Sequence, residues 1–457
     1  MRAYTHATVI DATGTPPLPD HTVLVENGVI TAVGPTATTS VPESAEVVDL
    51  TGRYLIPGLT DAHTHSNGDE RIAPALHVLN GVTAVREMWG SDEQRGFRDR
   101  MDAGTSLGPR WTIAGNLIDG APSLWDDAPG PQAPTVVANP REARRAVNQS
   151  KDEGADFVKI YSRLDADSYH AILDEARRLD IPVAGHRSDH VPLLEQIESG
   201  QRSFEHVHGL WPALSRDAEA MEAAMDRIRL QPDTYYSSWF QQVNEVEWEA
   251  ANTYGPAESA SVFERMVANE VAYCPTLFMH KNLDLPERVR LTDPRMRYMT
   301  PDTAQIWSYV LDSMYLKGRS ADEAAKRRVL FELRRAVVSA MDEAGVRILA
   351  GTDTQTVGVI PGFALHEELE QMVEAGLTPL RALQTATLEP ARFLGREAWS
   401  GTVEPGRVAD LLVLDADPLA DIRNTTRIHS VVTRGRHIGP EERTALLAEV
   451  EKAASGA

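Results

Sequence analysis

His63 and His65 stand one residue apart at the end of the run Ile56-Pro57-Gly58-Leu59-Thr60-Asp61-Ala62. In an extended chain alternate side chains point the same way, so one cation can take both imidazoles. Histidines at this spacing also occur on ordinary surfaces and in cores, and the pair gains meaning only from partners. Lys159 is the first, inside Phe157-Val158-Lys159-Ile160-Tyr161. A strand buried on both faces does not readily hide a bare ammonium, so its charge has to be compensated. A buried ion pair, a Schiff-base lysine, and a carbamate formed with carbon dioxide, whose two oxygens bridge two metals, all meet that need. The two histidines at the earlier strand favour the carbamate.

His186, in Val183-Ala184-Gly185-His186, and His206, in Ser203-Phe204-Glu205-His206, end the next two strand-like runs and could hold a second cation. Each alone could equally be a hydrogen-bonded structural histidine, but two consecutive runs ending in histidine are harder to dismiss. His208 makes a second His-x-His with His206, yet Gly209 and Leu210 follow it. It is therefore placed in the loop, as a substrate-side or supporting group. Asp353 closes the set after Arg347-Ile348-Leu349-Ala350-Gly351, where a carboxylate can bind metal and accept a proton from water. A helix cap is the competing role, but Pro361 and Gly362 put the next helix several residues away.

Positioning these groups takes repeated βα units. Strand-like runs end near Asp61, Glu87, Gly115, Tyr161, His186, His206, Thr276 and Asp353, with helical stretches between them. In one connection Asn139 caps a helix with Pro140 at its first position, and Gly154 stops it before Asp156-Phe157-Val158. Eight such units predict a (β/α)8 TIM barrel, whose chemistry collects at the carboxyl ends of the strands. The segment from Leu210 to Leu330, rich in Trp and Tyr, suggests helices folded over the barrel mouth, their aromatics either packing the excursion or lining substrate. Both ends of the chain are strand-rich, with an Asn27-Gly28 hairpin signal and the runs 409–414 and 430–433, and are expected to complete one small β domain. The expected division is 1–57 and 399–440 for that domain, 58–398 for the barrel, and 441–457 for a C-terminal helix or tail that frays from Glu451.

At 457 residues the chain suits one large domain with an appendage, and 42% hydrophobic against 25% charged residues is ordinary for a globular protein with a core. A net charge of −22 repels phosphate backbones, so neither nucleic acid nor an anionic membrane is an expected partner. Cys274 is the single cysteine, which excludes intrachain disulfides and leaves any metal to His and oxygen ligands. The opening lacks a secretory pattern and no stretch is long enough to cross a bilayer, so a cytoplasmic location is expected.

The motifs PGLTDAHTH, GVTAVREMWG, GPRWTIAGNLIDG, GADFVKIY, VAGHR, FEHVHG, AGTDT, LTPLRALQTATLEPARFLG and GTVEPGRVADLLVLDADPL together resemble the amidohydrolase superfamily. The branch is the one containing imidazolonepropionase and prolidase-type Xaa-dipeptidases, with ochratoxin-hydrolysing amidases. The resemblance runs almost end to end and implies a distorted barrel, a β-sandwich built from both termini and a two-metal centre. By position, His63, His65 and Asp353 would hold one metal, His186 and His206 the other, and carbamylated Lys159 would bridge them. It departs at Glu87, where aspartate is expected at a position that is not a ligand. Zinc is the default metal, with manganese or cobalt compatible with the same ligands.

The expected reaction is hydrolysis of an amide by metal-activated water, Asp353 acting as base and then acid. The expected substrate is a small molecule, an N-acyl amino acid or dipeptide-like amide with a bulky apolar part. Tyr161, Arg163, Arg187, His208 and His280 are candidate substrate contacts, although Arg163 could instead pair with Asp165. A lactonase, cyclic amidase or deaminase could use the same metal rim, and a non-catalytic binder should lack one of the ligands. Relatives often self-associate, so a homo-oligomer is expected.

Overall fold

The computed structural model describes residues 1–66, 68–126, 132–207 and 209–456. Among them, eight short parallel strands make the barrel. They are β1 (Leu59–Thr64), β2 (Val82–Glu87), β3 (Arg110–Ile113), β4 (Val158–Ile160), β5 (Val183–Gly185), β6 (Ser203–Glu205), β7 (Ala272–Cys274) and β8 (Arg347–Ile348). Each is the apolar run identified from the sequence, and neighbours pair in parallel from β1 to β3 and from β4 to β8. Two seams close the ring: Ala114 bridges Phe157 in parallel between β3 and β4, and the Ala62 N–H donates to the Ala350 carbonyl at 2.8 Å. One extra pair, Ile118–Gly120 and Thr135–Val137, extends the sheet beside β4.

Local sequence explains the helices between strands. Helix Pro140–Asp152 starts where the Asn139 side chain accepts from the Glu142 N–H at 3.1 Å, and its Ala143, Ala146, Val147 and Ser150 face is buried. The aromatic-rich region forms two connections, because β7 divides it. Helices Trp211–Leu214, Ala218–Asp226, Tyr235–Asn252 and Pro256–Ala268 precede that strand. Helices Leu277–Asp284, Pro301–Val310 and Ala321–Glu343, with the π-helical turn Leu311–Leu316, follow it.

The chain ends join in one hydrogen-bonded sheet of eight strands. Arg2–Val9 lies beside Leu18–Glu26, Glu46–Asp49 and Tyr54–Pro57, and the last of these pairs antiparallel with Leu411–Leu414. The hairpin from Leu18–Glu26 to Val29–Pro35 turns at Asn27 and Gly28, both at positive φ (51° and 77°), the conformation for which Asn-Gly is suited. Tyr4, Val23, Ile30, Leu55, Leu411 and Val413 form its shared core. The tail expected to fray from Glu451 is helical through Ala454 (Pro440–Ala454), because Val450 and Ala454, four apart on one face, are buried in the main core. Among the described residues no helix is long and apolar enough to cross a membrane.

Candidate metal centre

The carboxyl ends of the strands gather the predicted groups. His63 and His65 leave β1 on one side, and their Nε2 atoms lie 3.2 and 3.1 Å from the same oxygen of Asp353, Oδ1. These three residues form a group able to hold a metal ion. The His206 ring stands 4.7 Å from that of His63 and 4.8 Å from that of His186, centroid to centroid. Four imidazoles and one carboxylate therefore share a single pocket at the barrel rim. Backbone conformation contributes: His206, Thr276 and Asp353 all take positive φ (67°, 48° and 56°), turning the chain sharply at the ends of β6, β7 and β8. Gly351 is required for close approach, since a Cβ there would lie 2.4 Å from Cys274 Sγ and 2.8 Å from His63 Cβ.

Three of the four imidazoles are held from behind by a hydrogen bond at Nδ1. His63 Nδ1 meets Glu205 Oε2 at 2.9 Å, His186 Nδ1 meets Ser162 Oγ at 3.1 Å, and His206 Nδ1 meets Thr276 Oγ1 at 2.8 Å. His65 Nδ1 lies 3.8 Å from Glu87 Oε1. Such outer contacts orient histidines that bind metal. Behind Glu205, Arg86 donates Nη2 to both carboxylate oxygens at 2.7 and 2.8 Å and Nε to the Ala62 carbonyl at 2.5 Å. Burial alone would raise the Glu205 carboxyl, but Arg86 and His63 outweigh it and hold the group ionised well below the usual range. Glu87, the departure from the expected aspartate, is fully buried; burial lifts its carboxyl to about 7 against the opposing pull of His65.

Lys159 on β4 is 1% exposed. Among the described residues it makes no hydrogen bond and no ion pair. Burial lowers its pKa to about 8, and the attraction of Glu205 and Asp353 recovers only part of the loss. Among the described residues, therefore, no carboxylate forms a direct ion pair with it, although Glu205 and Asp353 attract it. Asp353 behaves oppositely. Burial would raise its carboxyl, but His206, His63 and the hydrogen bonds from His63 and His65 hold it well below 3.8.

The candidate substrate contacts divide. Tyr161 packs on His186 with ring centroids 4.0 Å apart and belongs to the site's wall. Three others have partners within the protein. Arg163 pairs with Asp189 at 2.8 Å and donates to the Ile228 carbonyl, whereas Asp165 is occupied as a helix cap by the N–H and hydroxyl of Ser168. Arg187 is clamped by Glu222 at 2.6 and 3.3 Å and by the carbonyls of Ser188, Val191 and Gly209, which uses its donors structurally. His280 Nε2 accepts the Val207 N–H at 3.0 Å and braces the strand end beside His206. His208 lies outside the described residues. Glu205, Arg86 and Thr276 are functional supports that the sequence reading missed. A charged residue within an apolar run, the signal that singled out Lys159, was present at Arg86 and Glu205 too.

A ring of short parallel strands with histidines and an aspartate at its carboxyl rim defines the class, and comparison with known proteins agrees. The amidohydrolase family matches residues 54–438, and the chain belongs to that family. Among relatives, ochratoxinase of Aspergillus niger is 22% identical over 430 residues, covering 81% of this chain and 72% of that protein. Dihydroorotase of Mycobacterium tuberculosis reaches 38% identity, but over 73 residues, so the matched part spans only 16% of that protein and 14% of this chain. Two solved structures share the fold. Bottromycin amidohydrolase has a TM-score of 0.75 at 24% identity, covering 99% of this chain and 90% of its own. A Xaa-Pro dipeptidase with methionine bound in its active site has a TM-score of 0.68 at 19% identity, covering 96% and 99%.

Proposed function

We propose that this protein is a metal-dependent hydrolase that cleaves the amide bond of a small N-acyl amino acid or dipeptide-like substrate. The observation that carries the reading is Lys159, a buried cation without an ion-pair partner among the described residues, in a ring of four histidines and an ionised aspartate. That donor set, imidazole nitrogen with carboxylate oxygen, suits zinc, manganese or cobalt. His63, His65 and Asp353 would hold one divalent ion and His186 and His206 a second, with Lys159 shared as a carbamate. A lysine reacts with carbon dioxide only as the neutral amine, losing one proton as the C–N bond forms. Burial that brings its pKa to about 8 supplies that form near neutral pH. Bound divalent ions would polarise the scissile carbonyl and acidify water.

The remaining steps belong to the chain. Glu205 and Arg86 fix His63, and Thr276 fixes His206, so the rim is set before substrate arrives. Asp353, ionised at neutral pH, takes the proton of the attacking water on a carboxylate oxygen and returns it to the departing nitrogen. Tyr161 and the aromatic helices above it exclude bulk water and suit an apolar substituent. The names of ochratoxinase, the Xaa-Pro dipeptidase and bottromycin amidohydrolase agree with amide substrates. The test is metal analysis of the purified protein together with a screen of N-acyl amino acids, dipeptides, lactones and cyclic amides. About two metals per chain and turnover confined to acyclic amides are expected. A single metal with Lys159 dispensable, or turnover of lactones or ring amines only, refutes the proposal in favour of another reaction on the same rim.

A further inference from the structure

We infer that Glu368 is a positioning residue for the metal rim, capping helix Leu277–Asp284 from a distant element so that Thr276 is left to hold His206. The inference rests on the hydrolase reading above, since it concerns how one proposed metal ligand is aimed. Thr276 occupies the N-cap position of that helix, just after β7. Two other threonines at N-cap positions, Thr300 and Thr378, have extended backbone and accept the N–H three residues on, from Thr303 and Arg381, each at 3.2 Å. Thr276 instead takes the left-handed conformation (φ 48°, ψ 51°) and makes no cap hydrogen bond; its hydroxyl lies 2.8 Å from His206 Nδ1. The first N–H groups of the helix therefore need another acceptor.

Glu368 supplies it. The residue lies on helix Phe363–Ala375, which follows β8, and is fully buried. Its Oε1 accepts the Leu277 N–H at 2.9 Å and its Oε2 the Phe278 N–H at 2.6 Å, so both oxygens are engaged by the two residues directly after Thr276. Burial lifts this carboxyl to about 8 against the pull of those two donors, a penalty that a local serine or aspartate cap at the surface would avoid. The same turn reaches His206 by a second route. The His280 N–H donates to the Thr276 carbonyl at 3.1 Å, and His280 Nε2 accepts the N–H of Val207, next to His206, at 3.0 Å. The far end of the helix is anchored separately, with Asp284 paired to Arg334 at 3.0 Å and to Arg327 at 3.2 Å. Glu368 thus sets the first turn, and with it Thr276, while the rest of the helix has its own support.

The test uses the full-length, chelator-treated protein, with Glu368→Gln and Thr276→Val alone and combined, and with Asn139→Ala as a variant that loses the cap of helix Pro140–Asp152. Glutamine keeps the shape of Glu368 but offers one acceptor oxygen to two N–H groups, and valine keeps the branched shape of Thr276 without its hydroxyl. Calorimetric titration with zinc alone gives the ions bound and their affinities, and crystal structures of the metal-free variants show the His206 ring. Glu368→Gln and Thr276→Val should each weaken one of the two ions about tenfold or more. The double variant should lose less than the product of the single losses, because the two residues act through one contact. In Glu368→Gln the Thr276–His206 contact should be broken, and Asn139→Ala should leave zinc binding unchanged. An unchanged zinc affinity or an intact Thr276–His206 contact in Glu368→Gln overturns the inference, as does an equal loss in Asn139→Ala or a double-variant loss equal to the product. If the wild type takes up two ions yet cleaves no amide in the screen above, the hydrolase reading fails and the zinc affinities still decide the role of Glu368. If it takes up fewer, the metal centre fails and the crystal structures alone decide whether Glu368 positions the ring.

Discussion

Replacing Lys159 with methionine should stabilise the metal-free protein and, if the proposed two-metal centre is right, prevent it from holding both ions. The two side chains are similar in length, and at 1% exposure the position is filled by either without opening a cavity. What changes is the charge. Burial lowers the lysine from 10.5 to about 8 even after the attraction of Glu205 and Asp353. At about 1.36 kcal/mol per pKa unit, the folded chain disfavours the ammonium by about 3 kcal/mol. The pH dependence follows from the direction of the shift. Below about pH 8 both folded and unfolded chains carry the proton, and the full penalty applies. Between about 8 and 10.5 the folded chain has released it and the unfolded chain has not, so wild-type stability rises with pH; above that window the penalty is gone. Urea unfolding of chelator-treated protein in buffer free of carbon dioxide, followed by tryptophan fluorescence, is the assay. Lys159→Met should exceed wild type by about 3 kcal/mol near pH 7, and the gap should close by about pH 10.5. Equal stability near pH 7, or a gap indifferent to pH, would show that the site already compensates the ammonium, and the argument for a carbamate would fall with it.

Asp353→Asn should lower kcat about 10²- to 10⁴-fold, read from steady-state kinetics on any amide the screen identifies, because the amide cannot accept the water proton. Glu205→Gln should weaken metal binding about 10- to 100-fold, measured by competition with a chelator, since the neutral group no longer pairs with Arg86 or anchors His63. Arg187→Met should cost about 3–5 kcal/mol in unfolding free energy by stranding Glu222, while KM stays unchanged, which separates a clamp from a substrate contact. Glu87→Gln should stabilise the metal-free protein above about pH 7, where the wild-type carboxyl is ionised against its burial, and leave it unaffected below about pH 4.5; thermal unfolding across that range checks the sign.

The rim was legible because barrel strands are apolar on both faces, which makes His63, Lys159, His186, His206 and Asp353 conspicuous at the ends of their runs. β8 shows how little hydrogen-bonded strand that pattern requires: it spans only Arg347–Ile348, yet Asp353 was found from the residues around it. The clamps were not legible. Arg187 finds Glu222 and Arg163 finds Asp189 across loops and helices whose path no local pattern encodes, and their nearest acids in sequence have other tasks. The extra strands Ile118–Gly120 and Thr135–Val137 were also missed, being too short to show a period. Arg86 and Glu205 are a different failure: their burial could be foreseen, but their pairing needed two distant strands to be set side by side.

The seam between the last strand and the first carries a consequence for how the protein matures. Asp353 N–H donates to the His63 carbonyl at 2.8 Å, and the Thr352 hydroxyl reaches Asp61 at 2.6 Å, so residues nearly 300 positions apart meet where the ring closes. A nascent chain emerging from the ribosome holds His63 and His65 early but lacks their aspartate until almost all of the cylinder has been synthesised. Capture of the ion that these three residues are proposed to hold would thus be a closing act of biogenesis. A protein starved of metal should open first along this joint, exposing it to proteases that spare the loaded form.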